Sequence, residues 1–131
     1  MDSRTETESI ESDIGPRAIV ALLADPRRIP DWAPTFADAV TEDAQSGWRA
    51  MKSGQGFALR VDMKQDAGTV DYLREIAPGR EGGAYIRVIP RPGGGSVVVM
   101  TVPLVPDAEP GAVAAVLRDE LNTLVNLASS S

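Results

Sequence analysis

The 131-residue chain contains no cysteine and no histidine. These absences remove thiolate nucleophiles, Cys/His zinc centres, histidine-based triads and the usual proton shuttle of neutral pH. Ser9, Ser12 and Ser46 therefore have no imidazole to activate them, which excludes ordinary serine hydrolysis. No disulfide can report on redox compartment. No apolar stretch has the shape of a signal-peptide core or a membrane span, so integral membrane association is not expected and the expected location is the cytoplasm. Cationic side chains are also short in number: 13 Lys+Arg against 19 Asp+Glu leave a net charge of −6. That balance opposes attraction to phosphate backbones and anionic lipid surfaces, and nucleic acid is not an expected partner. No glycine spacing with Lys-Ser or Lys-Thr makes a phosphate loop. No acidic cluster has trustworthy metal spacing: Glu6, Glu8 and Glu11 read as an acidic edge, and Asp107 and Glu109 as charges favouring a helix N-terminus. Neither metal nor cofactor is expected.

What is present has the size of one domain, residues 1–131, with an ordinary 43% hydrophobic share and fraying expected over 1–5 and 129–131. The strongest periodic signal is VAAVLRDELNTLVNLA at 113–128. Val113, Val116, Leu117, Leu121, Leu124, Val125 and Ala128 recur at helical steps, with Arg118, Asp119, Asn122 and Asn126 opposite. Glu109-Pro110 supplies the acidic, proline-tolerant first turn. One long amphipathic helix needs a partner surface, and the preceding text supplies strands.

A first strand is expected over about Glu6–Ile14, broken by Gly15-Pro16. Arg17–Ala24 follows as a short helix with an Ile19, Val20, Leu22 and Leu23 stripe, ended by Asp25-Pro26. Arg27–Phe36, with prolines 30 and 34 around Trp32, reads as a rigid corner holding at most a short helix. Strands are then expected over Ala37–Asp43, Trp48–Lys52, Phe57–Lys64, Thr69–Ile76, Ala84–Ile89 and Ser96–Val105. Turns fall at Gln45–Gly47, Ser53–Gly56 and Asp66–Gly68, a looser loop over Pro78–Gly83, and a flexible hairpin loop over Pro90–Gly95. The clearest alternation sets Phe57, Leu59, Val61 and Met63 against Arg60, Asp62 and Lys64. Ser96–Val105 is the most apolar strand and is expected to be central. Its Val97–Met100 run is apolar on both faces, so each side calls for cover. Strand, helix pair, six strands and a long helix amount to an α+β fold, with helices on one face of an antiparallel sheet.

Three stretches in this order carry a family resemblance: IPDWAPTFADAV at 29–40, GFALRVDMKQDAGTVDY at 56–72, and IRVIPRPGGGSVVVMTV at 86–102, leading into DELNTLVNLA at 119–128. Together they resemble the START/Bet v 1-like (SRPBCC) superfamily of helix-grip proteins, in particular small bacterial members described as polyketide cyclase/dehydrase-like. The resemblance implies a curved sheet of about seven strands gripping the C-terminal helix around an elongated, largely apolar cavity. It also implies a small hydrophobic ligand of lipid, polyketide or aromatic type, or a cofactor-independent cyclisation or dehydration of one. One departure is Asp71-Tyr72, where similar sequences carry Asp-His; a phenol has a much higher reference pKa than an imidazole.

The ligand-binding candidates are Trp32, Phe57, Leu59, Val61, Met63, Tyr72, Val99, Leu117, Leu121 and Leu124, with Ile76 beside them; the same residues would equally close a plain core. Trp32 could wall the cavity mouth or simply anchor the proline corner by apolar burial. The catalytic candidates are Asp71, Tyr85 and Arg87: a desolvated carboxylate as base, a phenol as proton donor and a guanidinium polarising a carbonyl. Their competing reading is a solvated cross-strand pairing of Asp71 with Arg87 or Arg74. Ligand binding ranks ahead of cyclase/dehydratase chemistry, because acid–base work near neutral pH would have to be built from carboxylates or phenols by burial alone. A third reading is an interaction module that forms a homodimer through the Val97–Met100 strand or the outer sheet face.

Overall fold

A computed structural model describes residues 4–45 and 47–130. Ser46 of the expected Gln45–Gly47 turn, the first three residues and Ser131 lie outside the described residues. Seven strands make the sheet: β1 (Arg4–Ser12), β2 (Ala39–Asp43), β3 (Gly47–Lys52), β4 (Gln55–Lys64), β5 (Thr69–Ala77), β6 (Arg80–Pro90) and β7 (Ser96–Leu104). Three α-helices accompany them: α1 (Pro16–Leu23), α2 (Ile29–Trp32) and α3 (Pro110–Ser129). The spatial order is β1-β7-β6-β5-β4-β3-β2, with every neighbouring pair antiparallel. This is the expected α+β helix-grip architecture.

The sheet's curvature is visible in how β4 divides its pairing. Its first half, Gln55–Leu59, pairs with β3, and its second half, Arg60–Lys64, pairs with β5. A strand serving two partners in succession lets the ribbon bend there. Tight passages elsewhere need glycine. A Cβ at Gly83 would sit 1.8 Å from the Tyr72 carbonyl oxygen across the β5–β6 ladder, so only a residue without a side chain fits. Gly68 closes the β4–β5 connection at φ +71°, a left-handed conformation that suits glycine.

The helix stripes go where their periodicity points. Ala114, Leu117, Leu121, Leu124, Val125 and Ala128 of α3 are buried, and Leu121 and Leu124 completely so. They meet Ile19, Val20, Leu22 and Leu23 of α1, with Ile29 and Trp32 of α2, over the inner sheet face formed by Val70, Tyr72, Ile86, Val88, Val98 and Met100. Burial of each Val, Leu, Ile or Met among them is worth about 1.5–3 kcal/mol. Pro110 opens α3, and the Glu109 side chain accepts a hydrogen bond from the Gly111 N–H. On its outer side Arg118 pairs with Glu8 of β1 at 3.2 Å.

Four expectations need correction. β1 starts at Arg4, paired with Leu104, so the strand takes in residues assigned to a frayed end, and it stops at Ser12 rather than Ile14. Residues 78–83 are not a loose loop: Pro78 and Gly79 make the turn, and β6 starts at Arg80 with Gly82 and Gly83 inside the ladder. The two glycines mark close approach within the ladder, not a loop: Gly83 by the Tyr72 backbone, Gly82 by the Ile76 and Pro103 side chains. β7 is interior but lies second from the edge, between β1 and β6; the middle strand is β5. Finally, its two faces are not both covered. Val98 and Met100 are buried beneath the helices, whereas Val97 and Val99 are half-buried on the outer face among Ser9, Glu11, Arg87 and Ile89.

Candidate functional site

Alternation along β5 sends Tyr72, Arg74 and Ile76 toward the helices and Asp71 toward the opposite face. The helix-side trio opens onto a cavity of about 310 Å³. Its floor includes Gly83 and Ala84 of β6 and Met100, Val102 and Pro103 of β7; its other walls are Ile29, Trp32, Ala33, Thr35 and Phe36 from the corner, and Val116, Leu117 and Glu120 from α3. A bulge between Glu75 and Ala77 interrupts the β5–β6 register at Ile76, which stands half-exposed at the cavity's edge. The lining is almost entirely apolar. Its few polar groups therefore carry the specificity.

Tyr72 is buried to 2% exposure, and its hydroxyl donates a 2.5 Å hydrogen bond to the Leu23 carbonyl at the end of α1. Burial, and secondarily the charge of Asp25, push the phenol above its ordinary range, so it stays neutral and its donor is already engaged. Its ring lies 6.1 Å from that of Trp32, tilted by 40°. Trp32, also 2% exposed, anchors the corner, and its indole N–H finds no acceptor among the described residues. Glu120 makes no ion pair or hydrogen bond among the described residues. Burial, with a lesser contribution from Asp119, pushes its carboxyl up to about 7. Arg74 holds its guanidinium carbon 3.8 Å from the centre of the Phe57 ring, a cation–π contact, and its buried Nε–H is unpartnered. Phe57 in turn packs edge-on against Phe36, with ring centres 5.7 Å apart.

Of the ligand-binding candidates read from the sequence, Trp32, Tyr72 and Leu117 line this cavity, as does Ile76. Leu59, Leu121 and Leu124 do not: each is 0% exposed and closes the core. Val61 and Met63 are half-buried against that core, and Phe57 stands behind the cavity wall, supporting Arg74 and Phe36. Val99 is on the outer face because the inward parity of β7 belongs to Val98 and Met100. The catalytic candidates meet one another, but not at the cavity. Asp71 sits directly across from Tyr85, and Arg87 Nη1 donates to Asp71 Oδ1 at 2.7 Å, all three on the outer face. This is the cross-strand pairing, with the Arg87 side chain 44% exposed. Sequence reasoning missed Glu120 and Arg74. The signal for Arg74 was its parity with Tyr72; that for Glu120 was its step of three or four from Val116 and Leu117.

Among the described residues, no helix is long and apolar enough to cross a membrane, and no group of acidic side chains gathers as a metal site. Neither the protein-family models nor the curated proteins offer a match. Solved structures do. The Zhui aromatase/cyclase from Streptomyces sp. R1128 superposes with a TM-score of 0.67 at 17% identity, covering 98% of this chain and 94% of that one. Ara h 8.0201 gives 0.66 at 16%, covering 99% and 100%. The di-domain ARO/CYC protein BexL of the BE-7585A biosynthetic pathway gives 0.69 at 19%, covering 98% of this chain and 48% of its own. Identities this low speak for architecture alone, and the architecture they share with the chain, a long helix gripped by a bent seven-stranded sheet, is the Bet v 1-like (SRPBCC) fold.

Proposed function

We propose that the protein binds a small, largely apolar molecule in the space between the sheet and α3. The supporting observation is the cavity itself: about 310 Å³, at the small end of the range for ligand pockets, with Ile29, Ala33, Met100, Val102, Val116 and Leu117 around it. It is an open cleft between the sheet, the proline corner and α3, so a guest can reach it without unfolding the core. The proteins sharing the fold include two aromatase/cyclases, which is consistent with a guest of aromatic or polyketide type. Native mass spectrometry of gently purified protein, together with displacement of an environment-sensitive dye, tests the reading. Ala84→Leu, which adds bulk on the cavity floor, should weaken dye binding at least tenfold while leaving the circular dichroism unchanged. Undiminished binding in that variant would remove the cavity as the site.

A second reading, acid–base chemistry on the guest, is favoured by the carboxyl of Glu120, which faces the cavity with a pKa pushed up to about 7. A general acid or base works best when poised near the operating pH. Asp71, Tyr85 and Arg87 take no part in this version, since they lie across the sheet from the guest. Deuterium exchange into the methyl group of 2-acetylnaphthalene, followed by NMR, would register such chemistry; Glu120→Gln should abolish any exchange above the buffer rate, and exchange surviving intact would exclude Glu120.

A further inference from the structure

Resting on the ligand-binding reading, we infer that Arg74 sets the chemical class of the guest: an apolar body ending in a carboxylate, which the guanidinium holds at the β5 wall of the cavity. Arg74 is on the inward parity of β5, between Tyr72 and Ile76, where every other strand residue lining the cavity is apolar or, like Tyr72, internally satisfied. It pairs with no carboxylate among the described residues. Glu120 lines the same cavity, yet the two form no ion pair. A half-buried cation without a counter-ion is unusual, because buried charges are normally paired. The Phe57 face at 3.8 Å fixes the guanidinium plane without using any N–H, so the contact positions the group and leaves its donors free.

The orientation is costly to maintain for nothing. Nε–H is buried and unpartnered, and among the described residues the two terminal nitrogens make no hydrogen bond or ion pair. A planar carboxylate matches the guanidinium fork with parallel hydrogen bonds, which a lone carbonyl cannot do. The chain as a whole carries a net charge of −6, so a free guanidinium inside the cavity is not a by-product of a basic protein. Among the other lining groups, the Tyr72 donor is taken by Leu23, and the Trp32 indole N–H, the Thr35 hydroxyl and the protonated Glu120 carboxyl each offer one neutral donor, which cannot match a carboxylate as a charged fork does.

The test compares 2-naphthoate with its neutral near-isostere 2-acetylnaphthalene by isothermal titration calorimetry at pH 6, on the full chain and on Arg74→Gln and Arg74→Lys. The full chain should prefer the carboxylate roughly tenfold or more, a margin typical of a charge-assisted hydrogen bond. Arg74→Gln should erase the preference while the ketone's affinity stays within about twofold, and Arg74→Lys should restore only part of it. Circular dichroism on each variant confirms the fold. Equal affinities in the full chain, or a preference that survives Arg74→Gln, would overturn the inference while leaving the ligand-binding reading in place. Failure of both probes to bind would instead remove that reading, and the inference with it.

Discussion

The two faces of β5 carry the same kinds of residue to different ends. Outward, Asp71 meets Arg87 at 2.7 Å and stands opposite Tyr85, a charge pair and a phenol beside water. Inward, Tyr72, Arg74 and the facing Glu120 offer a phenol, a cation and a carboxyl, but each is separated from the others and enclosed by apolar walls. An exposed pair forms because both partners can reach, and contributes about 0–1 kcal/mol. The inner groups are drawn partly out of solvent without pairing with one another: burial raises the Tyr72 and Glu120 pKa values, and the Arg74 Nε–H is left unpartnered among the described residues, a mismatch that a guest could relieve. Proximity among polar residues is therefore the weaker sign of function in this molecule. Polar groups kept apart inside an apolar space are the stronger one.

This contrast can be broken first at the backbone that shapes the inner face. Gly83→Ala forces a Cβ against the Tyr72 carbonyl, and it should destabilise the fold by roughly 3 kcal/mol, read as a lowered urea midpoint. An unchanged midpoint would mean that β5 and β6 do not approach as closely as described.

Glu120→Gln sharpens the comparison through pH. The folded carboxyl titrates at about 7, above its unfolded value of 4.5. Its protonated form is therefore favoured by folding, and the wild type loses stability as pH rises from about 4.5 through 7. The variant should match the wild type below pH 4.5 and exceed it above pH 7 by on the order of 2 kcal/mol. Urea titrations at pH 4 and pH 8 check this. The difference between the two proteins isolates Glu120 from Asp25, Asp38 and Glu81, whose carboxyls are held below their usual range by hydrogen bonds to Arg27, to Ser53 and Lys52, and to Arg60, respectively, and so act in the opposite sense.

Smaller effects separate the buried phenol from the outer pair. Tyr72→Phe deletes the bond to the Leu23 carbonyl and should cost about 1–2 kcal/mol, because an acceptor at the end of α1 loses its donor. Asp71→Asn, which breaks the outer ion pair, should cost at most about 0.5–1 kcal/mol and should fade further in 0.5 M salt. A larger loss for Asp71 than for Tyr72 would invert the comparison.

Much of the fold was legible because its two periodicities are clean. The Leu117, Leu121, Leu124 and Val125 steps pointed to α3, and the Phe57 to Met63 alternation gave β4 its inner face. The cavity was less legible, because period two gives parity along one strand but not which parity faces the helices on the next. Val99 and Tyr85 were thus placed on the wrong side, while Arg74 was treated only as a surface partner of Asp71. Nor does apolarity separate core from lining: Leu121 and Leu117 are one helical turn apart, yet only Leu117 reaches the cavity. Gly82 and Gly83 read as loop because nothing local reveals that Ile76 and Pro103 side chains crowd the first, or that the Tyr72 carbonyl passes 1.8 Å from where a Cβ of the second would lie.

The central claim is that a guest enters on the inner face, beneath α3. Intermolecular NOEs from bound 2-acetylnaphthalene to methyl-labelled protein test it directly. The account predicts contacts to the methyls of Ala33, Met100, Val102 and Leu117. Contacts confined to Ile89, Val97 and Val99, on the far side of the same sheet, would contradict it.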